Sequence, residues 1–579
     1  MSSNNGSLTP NLSSIATQQR LQTPAQSERV TGLRPVAVTA DDPVASPPHI
    51  SPLYVPTRPP DPLKMSPGSS LSIPVTASME RSLSTAERWG LTLDRVVKGI
   101  VSIRLTIVRN FERSSAGQAS ATGFVVDRTR GIILSNRHVV NPGPITATAL
   151  FNRYEEIPIE PLYVDPVHDF GFFKFDPSQL KFAELEEIEL YPEGARVGLD
   201  IKVCGNDGGE QLSVLSGMLA RLDRASPHDN DFNTFYFQAA SGSSTGSSGS
   251  PVLDVQGRAV ALCAAGSTNS ASSFYLPLDK VQRALRLIQQ GKPVPRGTLQ
   301  IDFHHVSYDR LRKTGLPEAI EKDSRERHVE GTGLLIVSGV VPEGPGSLAG
   351  LQVGDILLKL EHPAYGERYV NNFYSLWDVL DEVVDDTIKL TVCRGVDLRT
   401  MEATVQDLYS IIPNEFLEVG AGIVHPLSYQ VARFNNIPCR GLIVPEGGMF
   451  SWLNTNTPFI LMQFDDKDVS TLDELIPILL SVPDKKKVKY KFRVFGSWQE
   501  NIALFDMDHH FFGMTLFKRR QNSWERHRFQ PICNVPFEVA GTFDVERELT
   551  WSEELRRNLV WVNCRLPFSV EVIPSPWPN

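Results

Sequence analysis

The sequence predicts a multidomain protein: an all-β unit, a barrel or a sandwich, followed by two copies of a small α+β module. Three observations carry that expectation. A chain of 579 residues is too long for one hydrophobic core, and at roughly 150 residues per domain it should hold about four units. Between Ile100 and Ala264 short apolar runs are separated by Gly, Pro, Asn and Asp turns, which is the pattern of many short strands. Beyond residue 300 one pattern occurs twice.

In chain order, residues 1–82 are rich in Ser, Pro and Thr with almost no aromatic side chains. Such a segment cannot bury enough surface to offset chain entropy, so a disordered tail is expected. Met1 to Ser14 has neither the basic nor the apolar region of a secretory signal, which predicts retention inside the cell. The pattern changes at Trp89, where a helix-like stretch leads into a strand with Val101, Ile103, Leu105 and Ile107 on one face. Similar runs follow at Ala121 to Val126, Gly131 to Leu134, Ile201 to Cys204, Thr234 to Gln238 and Arg258 to Ala264. Val281, Leu285, Leu287 and Ile288 then recur at helical spacing, and that helix closes a unit spanning 86–292.

The repeat follows. Val306 to Pro317 with Gly333 to Val337 returns as Leu427 to Pro438 with Gly441 to Val444. Each copy continues into an apolar strand, Ile356 to Leu360 or Phe459 to Phe464, and a helix pattern, Ser375 to Val384 or Thr471 to Leu480. Two modules over 295–405 and 412–506 account for this, and 507–579 is left as a C-terminal extension.

Composition narrows the chemistry. No apolar run approaches the roughly 20 residues a membrane span needs. A net charge of -10 works against phosphate backbones, and the basic stretches Lys485 to Arg493 and Lys518 to Arg528 read as solvated faces, so no nucleic-acid partner is expected. The six cysteines lie far apart without a CxxC pair, which predicts neither a disulfide framework nor a metal site and fits a reducing compartment. There is no GxxxxGK[ST] loop for ATP and no HExxH for zinc, so no cofactor is expected.

Acyl transfer from a peptide needs a nucleophile, a base, a group that fixes the base's tautomer, and donors for the oxyanion. Ser248 lies in Gly246-Ser247-Ser248-Gly249-Ser250-Pro251, where small residues let the backbone turn tightly and aim the N–H groups of Gly246 and Ser248 at one point. His138 ends the strand-like GIILSNRHVV, and Asp169 lies in DPVHDFGFFKF between a polar turn and an apolar strand. Singly, each has a bland reading: a flexible Ser/Gly loop, a polar turn residue, a turn cap. Together they run His, Asp, Ser, the chymotrypsin order and not that of subtilisin or the α/β-hydrolases. The GxSxG frame of an esterase is absent around Ser248. A chymotrypsin-like double barrel is the fold this order predicts. In that fold the S1 base lies six residues before the nucleophile, at Gly242, whose small uncharged neighbours predict an aliphatic P1 residue and rejection of Arg or Lys.

At these residues the sequence resembles a known family. ATGFVVDRTRGIILSNRHVV, DPVHDFGFFKFD and SGSSTGSSGSPVLDVQGRAVAL followed by FYLPLD resemble the signature blocks of HtrA-type serine proteases, over roughly Trp89 to Phe505. DFGFFKFDP and GSSGSPV resemble in particular the fungal nuclear branch described as pro-apoptotic. The resemblance implies a trypsin-like serine protease domain over 86–292 with His138 as general base, Asp169 as orienting carboxylate, Ser248 as nucleophile, and oxyanion donors on Gly246, Ser247 and Ser248. It implies that the repeats are PDZ domains binding C-terminal peptides. Their carboxylate loops would be Arg296-Gly297-Thr298-Leu299 in the first copy and Val419 to Gly422 in the second. It further implies protein substrates, ATP-independent endopeptidase action, a homo-oligomer, and a nuclear role in stress response or cell death. Two departures stand out: Ser247 replaces the usual Asn before the nucleophile, and Gly249-Ser250 replaces two glycines after it. Asn558 to Val572 is similar to the opening strand of a second protease-like half, so a truncated or divergent member is expected. The competing reading is a proteolytically silent PDZ-based peptide-binding or chaperone scaffold, against which the complete triad counts.

Overall fold

The apolar alternation of the first unit closes into barrels, not a sandwich. The computed structural model describes residues 83–206, 212–227, 231–240, 246–266, 272–450, 457–496, 499–521 and 523–529. The expected disordered tail, Gly242 and the segment 558–572 lie outside the described residues. Strands β1 (Ile100–Ile107), β2 (Gly117–Asp127), β3 (Ile132–Ser135), β4 (Ile145–Leu150), β5 (Glu156–Val164) and β6 (Gly171–Lys174) close in the order β1-β2-β3-β6-β5-β4. The face expected from β1 is the one that turns inward: Val101, Ile103 and Leu105 pack with Val125, Ile133 and Phe173. Strands β7 (Asp200–Gly205), β8 (Ser213–Arg224), β9 (Tyr236–Ala239), β10 (Pro251–Leu253), β11 (Ala259–Gly266) and β12 (Ser273–Pro277) form a second closed barrel, β10-β11-β12-β9-β8-β7. A separate core joins the two, with Phe124, Leu134 and Phe172 from one barrel against Cys204, Leu253 and Leu262 from the other. The helix Asp279–Gln289 seals it with Val281 and Leu285.

The repeat yields two related sheets. A short pair, β13 (Gly297–Thr298) with β20 (Gln406–Asp407), ties off the first module. Between them β14 (Ile301–Ser307), β15 (Gly333–Val340), β16 (Ile356–His362), β18 (Thr387–Arg394) and β19 (Asp397–Thr404) pair in that order, and β17 (Gly366–Tyr369) pairs β16. Its helix is Phe373–Leu380, started by an Asn372 cap and burying Leu376 and Leu380 on the sheet. The second module holds β21 (Glu415–Val419), β22 (Gly422–Pro426), β23 (Leu442–Glu446), β24 (Phe459–Phe464), β25 (Lys467–Asp468), β26 (Lys487–Val494) and β27 (Glu500–Asp506), with the helix Leu472–Ser481.

The boundary expected at residue 506 does not hold. Strands β28 (Met514–Arg520) and β29 (Ser523–Phe529) continue the second module's sheet, in the order β27-β26-β24-β23-β22-β21-β28-β29. The reason is pairing: β28 adds to β21 from Glu415↔Lys518 to Glu418↔Thr515. The basic stretch from Lys518 is this hairpin, with Lys518 against Glu415 and Arg520 against Glu525. Among the described residues no helix is long and apolar enough to cross a membrane.

Candidate functional site

His138 and Asp169 meet because β3 and β6 are neighbours. Their register places Ser135 opposite Gly171, so the turn after β3 and the turn before β6 leave the sheet at one end. His138 follows in the short helix Arg137–Val140, anchored by buried Val139 and Val140. Asp169 sits in a turn that Asp165 builds by accepting from the N–H groups of Val167 (3.0 Å) and His168 (2.7 Å). Asn136 donates to the Asp169 carbonyl at 2.9 Å, fixing one turn to the other. His138 Nδ1 lies 2.9 and 3.0 Å from the two carboxylate oxygens, and the His138 amide donates to Oδ1 at 3.1 Å. The imidazole is 48% exposed; its partial desolvation would lower the pKa, but the Asp169 charge and hydrogen bond outweigh that and hold the ring above its ordinary value. Burial would raise the carboxyl of Asp169, and His138 with Arg137 keeps it below the usual range.

Ser248 is set at the corner of a tight turn. The Ser250 amide donates to the Ser247 carbonyl at 3.0 Å, and Gly249 takes φ 85°, the value a type II turn demands at its third position. A Cβ on Gly249 would come within 2.0 Å of the Thr122 carbonyl, so the turn rests directly on the first barrel. Thr122 bolts it there. Its amide donates to the Ser248 carbonyl (2.9 Å), its hydroxyl to the Gly246 carbonyl (2.9 Å), and its own carbonyl accepts from Ser135 Oγ (2.8 Å), three residues before His138. Among the described residues no hydrogen bond joins Ser248 Oγ to His138. Gly246, two residues before Ser248, takes φ 103°.

Behind the pair lies a buried polar cluster that sequence reasoning missed. Asp231 accepts from the Asp169 amide (3.2 Å) and from Tyr236 Oη (2.7 Å), and its other oxygen lies 2.7 Å from His168 Nδ1. Lys280 Nζ reaches His168 Nε2, so His168 is the neutral tautomer that donates to Asp231 and accepts from Lys280. Burial, Lys280 and Arg296 depress His168 against the pull of Asp231. Burial and Arg296 bring Lys280 down to about 7, against three carboxylates. Arg296 bridges Asp165 (3.0 Å) and Asp381 (2.7 Å), all three side chains being buried. His168 stood beside Asp169 in the sequence, but nothing there marked Asp231 or Lys280 as its partners.

The expected peptide loops are differently placed. In the first module the Gly297 amide already donates to Asp381 Oδ1 at 3.0 Å, and Thr298 and Leu299 are buried. In the second, Gly420 and Ala421 (φ 57° and 58°) form the two-residue turn of the hairpin β21–β22. Strand β22 is paired on both sides, with β21 and with β23, so no ligand strand can add to it. The carboxylate loop expected at Val419 to Gly422 is therefore a closed hairpin.

Two six-stranded barrels with a His–Asp pair at one sheet end are the architecture of chymotrypsin-like peptidases. Residues 121–262 match the family described as trypsin-like peptidase domain, and 410–485 match a PDZ-like domain. A trypsin-like peptidase domain followed by a PDZ-like domain is the domain pair that the resemblance to HtrA-type serine proteases implied. It is 43% identical over 519 residues to Protease Do-like 7 of Arabidopsis thaliana, covering 86% of this chain and 47% of that one. It is 38% identical over 527 residues to Pro-apoptotic serine protease NMA111 of Yarrowia lipolytica (87% and 53%). With the protein of the same name from Saccharomyces cerevisiae (strain ATCC 204508 / S288c) it shares 42% identity over 412 residues (70% and 41%). The chain thus spans about half the length of the curated relatives it matches.

Proposed function

We propose that this chain is an ATP-independent serine endopeptidase that cleaves proteins through an acyl-enzyme. The observation that carries the reading is the bidentate contact of Asp169 with His138 Nδ1 beside a serine turn bolted to the same barrel through Thr122. Asp169 holds the imidazole proton on Nδ1, which leaves Nε2 free as the base. His138 Nε2 takes the Ser248 proton as Oγ attacks the carbonyl carbon. The amides of Gly246, Ser247 and Ser248 receive the oxyanion, and His138 returns the proton to the leaving amine. Water, activated by the same imidazole, then hydrolyses the ester. The small residues around Gly242 support an aliphatic P1 side chain. The names of the fungal relatives support a role in cell death, and the resemblance of the signature blocks supports a nuclear location.

A fluorophosphonate probe tests the chemistry, because only an activated serine is labelled. Wild type should be labelled and should digest casein, while Ser248→Ala should do neither. An unlabelled wild type would favour the proteolytically silent scaffold, and labelling of Ser248→Ala would move the nucleophile elsewhere.

A further inference from the structure

A peptide that adds to a PDZ sheet lies along an edge strand, with one of its residues offering an N–H and a C=O to residues two apart on that strand. Strand β14 is such an edge, paired only with β15. Its outward backbone is engaged by a side chain of the protease domain. Asn233 Nδ2 donates to the Ile301 carbonyl (2.8 Å), and Asn233 Oδ1 accepts from the Phe303 amide (2.7 Å). The primary amide therefore makes the pair of bonds that a ligand residue would make. Two residues on, Phe235 enters the apolar space between β14 and the helix Phe373–Leu380. Its ring centre lies 4.8 Å from Phe373 and 5.3 Å from His305. What remains of the groove between the Gly297 loop, β14 and that helix is a cavity of about 40 Å³.

The same six residues also reach the second module and the turn that carries Asp169. Phe232 lies under the Arg433 guanidinium at 4.0 Å and packs edge-on against Tyr429, both on the second module's helix Tyr429–Asn435. Asp231 holds the Asp169 amide and His168, one residue from the contact with His138.

We propose that Asp231–Tyr236 is an internal ligand of the first PDZ-like module, and that through it Asp231 acts as a positioning residue for Asp169. The groove reads the chain's own protease domain. Losing that contact frees Asp231, and with it the turn that presents Asp169 to His138. The catalytic half rests on the peptidase reading above, whereas the occupancy of the groove does not.

The test uses the full chain with Asn233→Ala, and Phe235→Ala as a more severe second variant. Amide hydrogen exchange is followed over residues 299–307 and 163–170, and fluorophosphonate labelling is timed from pH 5 to 9. Exchange should quicken in both segments of Asn233→Ala. Labelling should slow about fivefold or more, the lower range for coupled sites. The acid limb of the labelling rate should move to lower pH as Asp169 loosens from His138, a change that mere loss of folded protein would not produce. Unchanged exchange over 299–307 in Asn233→Ala would overturn the internal ligand. Faster exchange there with an unaltered triad segment and labelling profile would overturn the positioning role. A wild type that is never labelled defeats the peptidase reading and the positioning role, and exchange over 299–307 still decides the internal ligand.

Discussion

Asp169→Asn separates a reacting pair from a merely adjacent one. In the wild type Oδ1 accepts from both the His138 amide (3.1 Å) and Nδ1 (2.9 Å), while Oδ2 lies 3.0 Å from Nδ1. The backbone donor cannot turn away, so the single oxygen of Asn stays on it, and the new NH2 takes the place of Oδ2. That sets a donor against Nδ1–H. The conflict is relieved by moving the ring proton to Nε2, the nitrogen that must act as base. The transition-state imidazolium also loses an anion at hydrogen-bond distance. A loss of about 10⁴-fold in kcat follows, equivalent to about 5.5 kcal/mol. The Asp169 amide keeps its bond to Asp231, so the turn itself should persist.

The pH profile supplies an independent sign. Asp169 outweighs burial and holds His138 above the ordinary histidine value of about 6.5, and a neutral base is needed, so wild-type rates rise as pH passes that raised pKa. In the variant, burial and Arg137 act unopposed, and the acid limb should move down. Stability runs the other way. A raised histidine stabilises the fold fully below about pH 6.5 and loses that contribution as pH rises through the folded pKa, so wild type should lead the variant most in mild acid. The assay is kcat/KM on an internally quenched peptide with an aliphatic P1 residue, from pH 5 to 9. A loss smaller than about tenfold, or an acid limb that moves up, would refute the reasoning.

Arg296→Met leaves Asp165 and Asp381 facing each other in a dry site, which should cost about 3–5 kcal/mol in urea unfolding at pH 7. Burial would raise Asp165, but Arg296 foremost, with Lys280 and the Val167 amide, brings it down to about 2. That gap from about 3.9 is worth roughly 2.5 kcal/mol, complete above pH 4 and lost as pH falls through 2, so the two proteins should converge across that interval. Gly249→Ala places a methyl against the Thr122 carbonyl at a positive φ and should abolish fluorophosphonate labelling while far-UV circular dichroism stays unchanged. Labelling at the wild-type rate would show that the turn does not set the nucleophile.

The candidate triad could be picked out of the sequence because each member is announced by its own neighbours. His138 ends a strand pattern, Asp169 opens one, and Ser248 lies among residues small enough for a tight turn. Strand-end residues meet when their strands pair, as Ser135 and Gly171 do, so local pattern and chain order together implied the contact. The polar cluster left no such trace. Thr234 to Gln238 read as one more apolar run, and the described strand is Tyr236–Ala239. Periodicity says that Phe235 is buried but not that its partner is Phe373, well over a hundred residues on. Asp231 and Lys280 look like a loop acid and a helix-start cation, and only the closed fold places His168 between them.

The two repeats show the same limit at the scale of a module. Their matching strands and helices predicted one fold twice, and both sheets formed. What differs is the neighbour of the strand in the ligand position. In the first copy only the short Gly297–Thr298 strand precedes β14, and it pairs away with Gln406–Asp407, so the outer edge of β14 is left for Asn233. In the second, five residues from Glu415 to Val419 form a full strand, which covers β22 and is itself extended by β28 some hundred residues later. An edge is open or closed according to what the rest of the chain can add to it, and that partner lies outside the repeat. Of the two ligand-position strands, then, only β14 retains an edge where strand addition could occur, and the protease domain already holds it through Asn233.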